Sequence, residues 1–391
     1  MITQTNHRET FRFVPSTSTP VSPERVAELL KAEWELFTKQ TGKSAEESRR
    51  ALKSLPMGVT SSFQHWDPYP ISIVSAKGAW MTDVDGRQLL DLSMGFGAML
   101  AGHLNPVIVE EVKKALETGT LFVTPSPIST DAAERICRRF GIDQVRFTNS
   151  GTESTMYAVR TARAATDKNA IVKIEGGYHG SYDPFVVSSK PPIDKIGDAE
   201  DPIAYTPAGI VPGEIYVVPY NNADALERTF KKHGSSIACF ILEPVLENLG
   251  IVLPDEGYLE AVRALCDQYK IVLIFDEVKT GLTAGPQGAA QRLGVIPDLI
   301  CLAKSIGGGL PLAAFGGKAE IMNTITTGAM AHFGTFNGNP LAMAGLRAMD
   351  RLCTEEALAK AEAFNKQALD RITEIIEEFQ LPAHTVGFGV K

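Results

Sequence analysis

Two acids and a lysine near the middle of the chain carry groups able to do chemistry on a bound molecule. Ile271–Phe275 (IVLIF) is a short apolar run with the β-branched character of a buried strand, and it delivers Asp276 and Glu277 together at its carboxyl end. A second apolar run, Leu299–Ala303, delivers Lys304, followed by the flexible Ser305-Ile306-Gly307-Gly308-Gly309. Acids at a buried strand end need a cationic or polar partner. A lysine amine can form a Schiff base with an aldehyde, and a carboxylate can keep a pyridine nitrogen protonated so that the ring accepts electrons. Asp276 and Lys304 would fill those two roles for pyridoxal phosphate. A buried acid paired with a lysine for structural reasons explains them equally well, so other stretches must decide.

A second stretch offers a place for an anion. Val145-Arg146-Phe147-Thr148-Asn149-Ser150-Gly151-Thr152-Glu153 reads as a strand, a tight turn and a helix start. Gly151 lets the backbone approach an anion, the first helical amides point at it, and Ser150 and Thr152 add hydroxyls, which makes a phosphate cup without basic residues. Simple helix capping by Ser150 accounts for the same residues, and the two roles are compatible. Gly176-Gly177-Tyr178-His179-Gly180 follows the next strand; Tyr178 could stack on a planar ring and His179 could support it by a hydrogen bond.

The elements that must position these residues alternate from Gln144 onward. Strands at Val145–Phe147, Ile171–Ile174, Ile215–Val218, Ile237–Leu242, Ile271–Phe275 and Leu299–Ala303 are interleaved with helices at Thr152–Thr166, Ala223–His233 and Glu256–Tyr269. This predicts an α/β fold with a mostly parallel sheet covered on both faces. Ligands in such sheets sit outside the carboxyl ends of the strands, where Ser150, Glu243, Asp276 and Lys304 all fall. Upstream, residues before about Pro20 form a polar arm. Ser22-Pro23-Glu24 starts a helix carrying Val26, Leu29, Leu30, Trp34 and Phe37, able to cover a neighbour, and Asp85-Gly86 turns a hairpin between Ala79–Thr82 and Gln88–Leu92. The segment between Ser181 and Ile210 lacks periodicity and has the length of a lid. Past Asn339 the chain is helical, over Leu341–Leu352 and Glu355–Phe379.

Bulk properties narrow the function classes. The 391 residues are 44% hydrophobic and 21% charged, an ordinary globular composition with room for more than one domain. A net charge of −8 gives no electrostatic footprint for nucleic acid or an anionic membrane. No stretch approaches the roughly 18 apolar residues of a spanning helix, and the first residues lack the apolar core of a signal peptide, so the expected location is the cytoplasm. Five scattered cysteines form no metal-ligand spacing and no disulfide framework.

Taken together, RFTNSGTES (146–154), GGYHG (176–180), EPVLENLG (243–250), LIFDEV (273–278), AKSIGGGLPLAAFGGK (303–318) and HFGTFNGNPLAMAG (332–345) resemble, in order and spacing, the class III aminotransferases. These fold-type I pyridoxal phosphate enzymes include glutamate-1-semialdehyde aminomutases and β-amino acid aminotransferases. The resemblance implies a seven-stranded, mostly parallel sheet in a large domain and a smaller α+β domain built from both chain ends. Residues 1–95 would form the arm, helix and hairpin part of the small domain, 96–345 the large cofactor-binding domain, and 346–391 the start of the C-terminal part of the small domain. It makes Lys304 the Schiff-base lysine and proton carrier, and Asp276 the partner of the pyridine nitrogen. Val278 would pack behind the ring and Tyr178 in front, with His179 and Glu243 in support. Ser150, Gly151 and Thr152 would hold the phosphate, Asn248 the phenolic oxygen, and Thr335 the phosphate of a partner subunit, which implies a homodimer with shared sites. The implied cofactor cycles between pyridoxal phosphate and its pyridoxamine form, and the implied substrates are small amines and carbonyls.

Two departures stand against this pattern. Gln64 occupies the place of an arginine that binds the substrate carboxylate in glutamate-1-semialdehyde aminomutases, and glutamine cannot make a charge-assisted bidentate pair. Family members also continue past the position of Lys391, so the sequence reads as a shortened chain or a portion of a longer one. The expectation is therefore an aminotransferase acting between an amino donor and a carbonyl acceptor. An intramolecular aminomutase is the alternative, and a non-catalytic module that keeps the fold is a third reading.

Overall fold

The computed structural model describes residues 22–198 and 202–391. The polar arm before Pro20, and part of the segment between Ser181 and Ile210, lie outside the described residues. The chain divides into two compact units. The larger takes in Gly95–Ala101, Pro106–Leu369 and Val386–Lys391; the smaller takes in the described residues up to Met94, Gly102–Asn105 and Asp370–Thr385. The large unit thus extends to Leu369, past the position 345 read from the sequence.

In the smaller unit, α1 (Pro23–Gln40) and α2 (Gly42–Ala51) precede a three-stranded antiparallel meander of β1 (Ile73–Lys77), β2 (Trp80–Asp83) and β3 (Gln88–Leu90). Ser22 caps α1, its hydroxyl accepting from the Arg25 amide. Most of the apolar stripe of α1 stays open, with Val26, Leu29, Leu30 and Trp34 exposed, while Phe37 at its end packs on Tyr69, ring centroids 5.3 Å apart. The hairpin turn forms where Asp85-Gly86 was expected, and Asp83 locks it by accepting from the Arg87 amide at 2.8 Å and from its guanidinium at 2.7 Å.

The larger unit begins with α3 (Pro106–Thr118) and α4 (Pro127–Phe140), and then enters the alternating region. Here β4 (Gln144–Thr148), α5 (Gly151–Thr166), β5 (Ala170–Ile174), the short α6 (Asp183–Val186), β6 (Ile215–Val218), α7 (Ala223–His233) and β7 (Ile237–Leu242) lead to α8 (Tyr258–Tyr269) and β8 (Val272–Glu277). The unit continues through α9 (Gly288–Leu293), β9 (Leu299–Leu302), β10 (Ala313–Gly317), α10 (Ala319–Thr326) and α11 (Pro340–Leu352), and α12 (Glu355–Glu378) follows. Seven strands form one sheet in the order β4-β10-β9-β8-β7-β5-β6, parallel throughout except for β10, which runs antiparallel to both neighbours.

Strands β5, β7 and β8 are buried on both faces, which is why they read as near-continuous apolar runs, interrupted by Lys173 in β5 and ended by Asp276 and Glu277 in β8. Alternate residues serve opposite layers. Val172, Phe240, Leu242 and Phe275 pack on α7 and α8, whereas Ile171, Cys239, Ile241 and Ile274 pack on α5 and α10. Burying each such side chain contributes about 1.5–3 kcal/mol. The strand β10 was not legible as one, because Ala-Ala-Phe-Gly-Gly has no β-branched residue. Its small residues answer a spatial demand: a Cβ on Gly316 would lie 2.2 Å from the Gln144 carbonyl oxygen, and one on Gly317 would lie 2.0 Å from that of Asp298. On the helix side, Ser154 of α5 donates to the Ala314 carbonyl at 2.6 Å.

Candidate active site

The parallel register sets Asp276 of β8 beside Cys301 of β9, and the chain leaves β9 into a short turn, Lys304–Gly307, that begins with the lysine. Lys304 adopts a left-handed backbone (φ 48°), a conformation that a non-glycine residue holds only when its surroundings impose it. Its ammonium has no hydrogen-bond partner among the described residues. Burial is the largest influence on it and lowers its pKa; Asp276 and Glu243 pull the other way, and the charges of Lys279 and Lys391 reinforce the lowering. A lysine held toward its neutral form is a lysine able to act as a nucleophile or a base.

Asp276 is buried, and both its oxygens are occupied on the protein side. One meets His179 Nδ1 at 2.8 Å and the other accepts from the Val278 amide at 3.0 Å. His179 is itself buried, set edge-on against Phe185, and its Nε2 has no partner among the described residues. Glu243, at the end of β7, accepts from the Tyr178 amide at 3.1 Å and from Asn248 Nδ2 at 2.8 Å; burial pushes its carboxyl pKa upward. Glu277, the second strand-end acid, turns to the other side. It caps α9 by accepting from the amides of Ala289 and Ala290, and burial raises its pKa to about 7.

At the start of α5 the capping reading of the Ser150 turn is realised, and the geometry leaves room for the anion site. Ser150 Oγ accepts from the Glu153 amide at 3.2 Å, and the Glu153 carboxylate accepts from the Ser150 and Asn149 amides at 3.0 and 2.6 Å, a complete capping box. The amides of Gly151 and Thr152 have no partner among the described residues and are left for a ligand. Gly151 is held against Val278, 3.1 Å from where its Cβ would stand, so the cup and the acid-bearing strand share a wall.

These parts enclose one cavity of about 300 Å³. Ten of the eleven residues expected at the site line it; Thr335 does not, and lies exposed between the exposed Phe333 and Phe336. Lys279 also lines the cavity and was missed in the sequence, although a lysine three residues beyond Asp276 was there to be seen.

The Aminotransferase class-III sequence profile matches residues 62–389. The chain belongs to the class III aminotransferase family. Glutamate-1-semialdehyde 2,1-aminomutase from Methanocorpusculum labreanum is 41% identical over 351 residues, 89% of this chain and 82% of the relative. Among solved structures, an omega-transaminase from Sphaerobacter thermophilus superposes with a TM-score of 0.85 at 36% identity, covering 88% of this chain and 81% of that one. A glutamate-1-semialdehyde aminomutase variant from Pseudomonas aeruginosa PAO1, in complex with PMP, gives 0.86 at 27% identity, covering 95% and 84%. The cofactor of this class III enzyme is pyridoxal phosphate, and the site fits it: unpartnered helix amides for a phosphate, a fixed carboxylate for a ring nitrogen, and an unpartnered amine. No helix among the described residues is long and apolar enough to cross a membrane.

Proposed function

We propose that this chain moves an amino group within one substrate, as an aminomutase of the glutamate-1-semialdehyde type, with Lys304 as the residue that carries the proton. The observation that carries the chemistry is the unpartnered amine of Lys304 in one cavity with Asp276. The names of the curated relatives support the intramolecular form over the two-substrate transfer expected from the sequence.

Pyridoxal phosphate, when bound, supplies an aldehyde carbon and a ring that can take up electron density. The chain's own residues then divide the work. Gly151 and Thr152 present amides, and Ser150 and Thr152 hydroxyls, to the phosphate. Asp276, fixed by His179 and Val278, would hold the ring nitrogen and stabilise positive charge there. Tyr178 and Val278 would bound the ring, and Asn248 would serve the phenolic oxygen. Lys304 Nζ takes a proton from one substrate carbon and returns it at another position, which demands the neutral amine that burial favours. Thr335, outside its own chain's cavity, would complete the cup of a second subunit in a cytoplasmic homodimer.

One observation favours the transferase as a second reading. Gln64 carries no charge, and its side-chain oxygen is used locally, accepting from Thr60 Oγ1 at 2.7 Å and from the Ser61 amide at 3.1 Å. The experiment that separates the two supplies an amino-aldehyde to protein in the pyridoxamine form. Turnover without a second carbonyl compound supports the mutase; turnover only after pyruvate is added overturns it. Lys304→Ala is expected to abolish turnover in both cases and to remove the visible absorbance band that the loaded wild type shows.

A further inference from the structure

The turn after β8 places Lys279 on the cavity wall alongside Lys304. Lys279 is half-buried, and burial together with the charge of Lys391 holds its pKa below the usual lysine value. Its ammonium makes one hydrogen bond, donating to the Glu247 backbone oxygen at 3.1 Å, and no carboxylate among the described residues lies within ion-pair distance of it. The neighbouring acids are committed elsewhere. The Glu247 carboxylate is paired with Lys391, whose ammonium also donates to the Lys279 carbonyl at 3.1 Å. Glu243 serves Tyr178 and Asn248, and Asp276 serves His179 and Val278. Glu243 and Glu247 act on this half-buried cation only from beyond ion-pair distance, and two of the three Lys279 protons remain for a ligand. The phosphate has its own donors at Gly151 and Thr152, so the charge of Lys279 is available to a different anionic group.

We infer that Lys279 receives an oxyanion inside the cavity, either a substrate carboxylate or the phenolic oxygen of the cofactor. In the first case it supplies the cation that Gln64 cannot, and the substrate class is an amino acid or amino-aldehyde bearing a carboxylate. This assignment rests on the proposed function and deepens it.

The test compares wild type with two neutral variants, Lys279→Met and Lys279→Gln, and with the charge-retaining Lys279→Arg, all loaded with pyridoxal phosphate. Aminooxyacetate and methoxyamine share the nitrogen that reacts with the loaded site and differ by one carboxylate; loss of the visible band reports the rate of each. If the oxyanion belongs to the substrate, the preference for aminooxyacetate falls on the order of tenfold in the neutral variants and is retained by arginine. A second arm measures binding of pyridoxal phosphate and of its 3-O-methyl derivative, which lacks the phenolic oxyanion. If Lys279 holds that oxygen, the advantage of the unmethylated cofactor falls on the order of tenfold in the neutral variants. Both ratios staying within about twofold of wild type in a folded neutral variant overturns the assignment. A wild type that takes up no cofactor overturns the proposed function and this assignment together, and is distinct from a loaded wild type whose ratios do not move.

Discussion

Replacing Gly180 by alanine tests whether the phosphate cup is as tightly built as the geometry says. Gly180 has φ +99°, where an L side chain is strained, and its added Cβ would stand 2.4 Å from Thr152 Oγ1, 2.8 Å from Thr152 Cα and 2.9 Å from Thr152 Cβ. Two of those atoms belong to the first turn of α5 and cannot swing away as the end of a long side chain does. The left-handed backbone costs about 1–2 kcal/mol, and forcing a methyl into a filled site costs about 1–3 kcal/mol more. The total, about 2–5 kcal/mol, is a large part of the 5–15 kcal/mol that holds a domain together. Gly209→Ala isolates the backbone part, because Gly209 also has positive φ (+80°) but nothing lies within 4 Å of its Cβ position. Urea unfolding of the two variants without cofactor, and pyridoxal phosphate titration of both, give the two components. The expected result is that Gly180→Ala is the less stable by about 1–3 kcal/mol, or, where the cup yields instead, binds cofactor more than about tenfold more weakly. A Gly180→Ala protein matching Gly209→Ala in both stability and affinity would refute the close contact with Thr152.

Two further outcomes follow from buried polar groups. Ser154→Ala leaves the Ala314 carbonyl without its 2.6 Å donor in a fully buried position, and should lower stability by about 1–3 kcal/mol in urea unfolding with the fold retained. Lys173 is fully buried, donates to the Val187 carbonyl at 2.6 Å, and has its pKa lowered by burial to about 8, against partial compensation from Glu175 and Glu243. Between that value and the ordinary lysine value of 10.5 the unfolded chain binds the more protons, so the wild type should gain stability relative to Lys173→Met as pH rises through this window. A flat difference from pH 7.5 to 10.5 in denaturation curves would contradict the lowered pKa.

The parts of the site legible in the sequence were those built from a strand and the residue after it. Asp276 and Lys304 are announced by apolar runs, and β8 and β9 end where those runs said they would, give or take two residues. The Ser150 turn was legible because capping and anion binding use the same residue types, and the structure shows the cap complete with two amides left over. What stayed hidden depends on contacts between distant segments. Strand β10 is specified by the backbones of Gln144 and Asp298 crowding its glycines, information that Ala-Ala-Phe-Gly-Gly does not carry locally. Helix α2 has only polar and small residues, so no apolar stripe marks it. Lys279 was overlooked because its significance lies in Glu247 being taken by Lys391, more than a hundred residues away in the chain. The stripe on α1 shows the opposite case, a helical pattern that is present in the sequence and, apart from Phe37, remains exposed among the described residues.

The capping box on α5 bears on how quickly the cofactor can be captured. Ser150, Glu153 and Asn149 hold one another through hydrogen bonds that involve no ligand, so the turn is shaped before anything binds. Ser150 Oγ uses a lone pair for the cap and keeps its own proton to offer. A phosphate entering the proposed cup would therefore meet donors already in place, and the entropy of ordering the loop is absorbed when the chain folds rather than at the encounter. Association should then be governed by diffusion and entry into the cavity, with the residence time of the cofactor, not its rate of arrival, responding to changes in the cup.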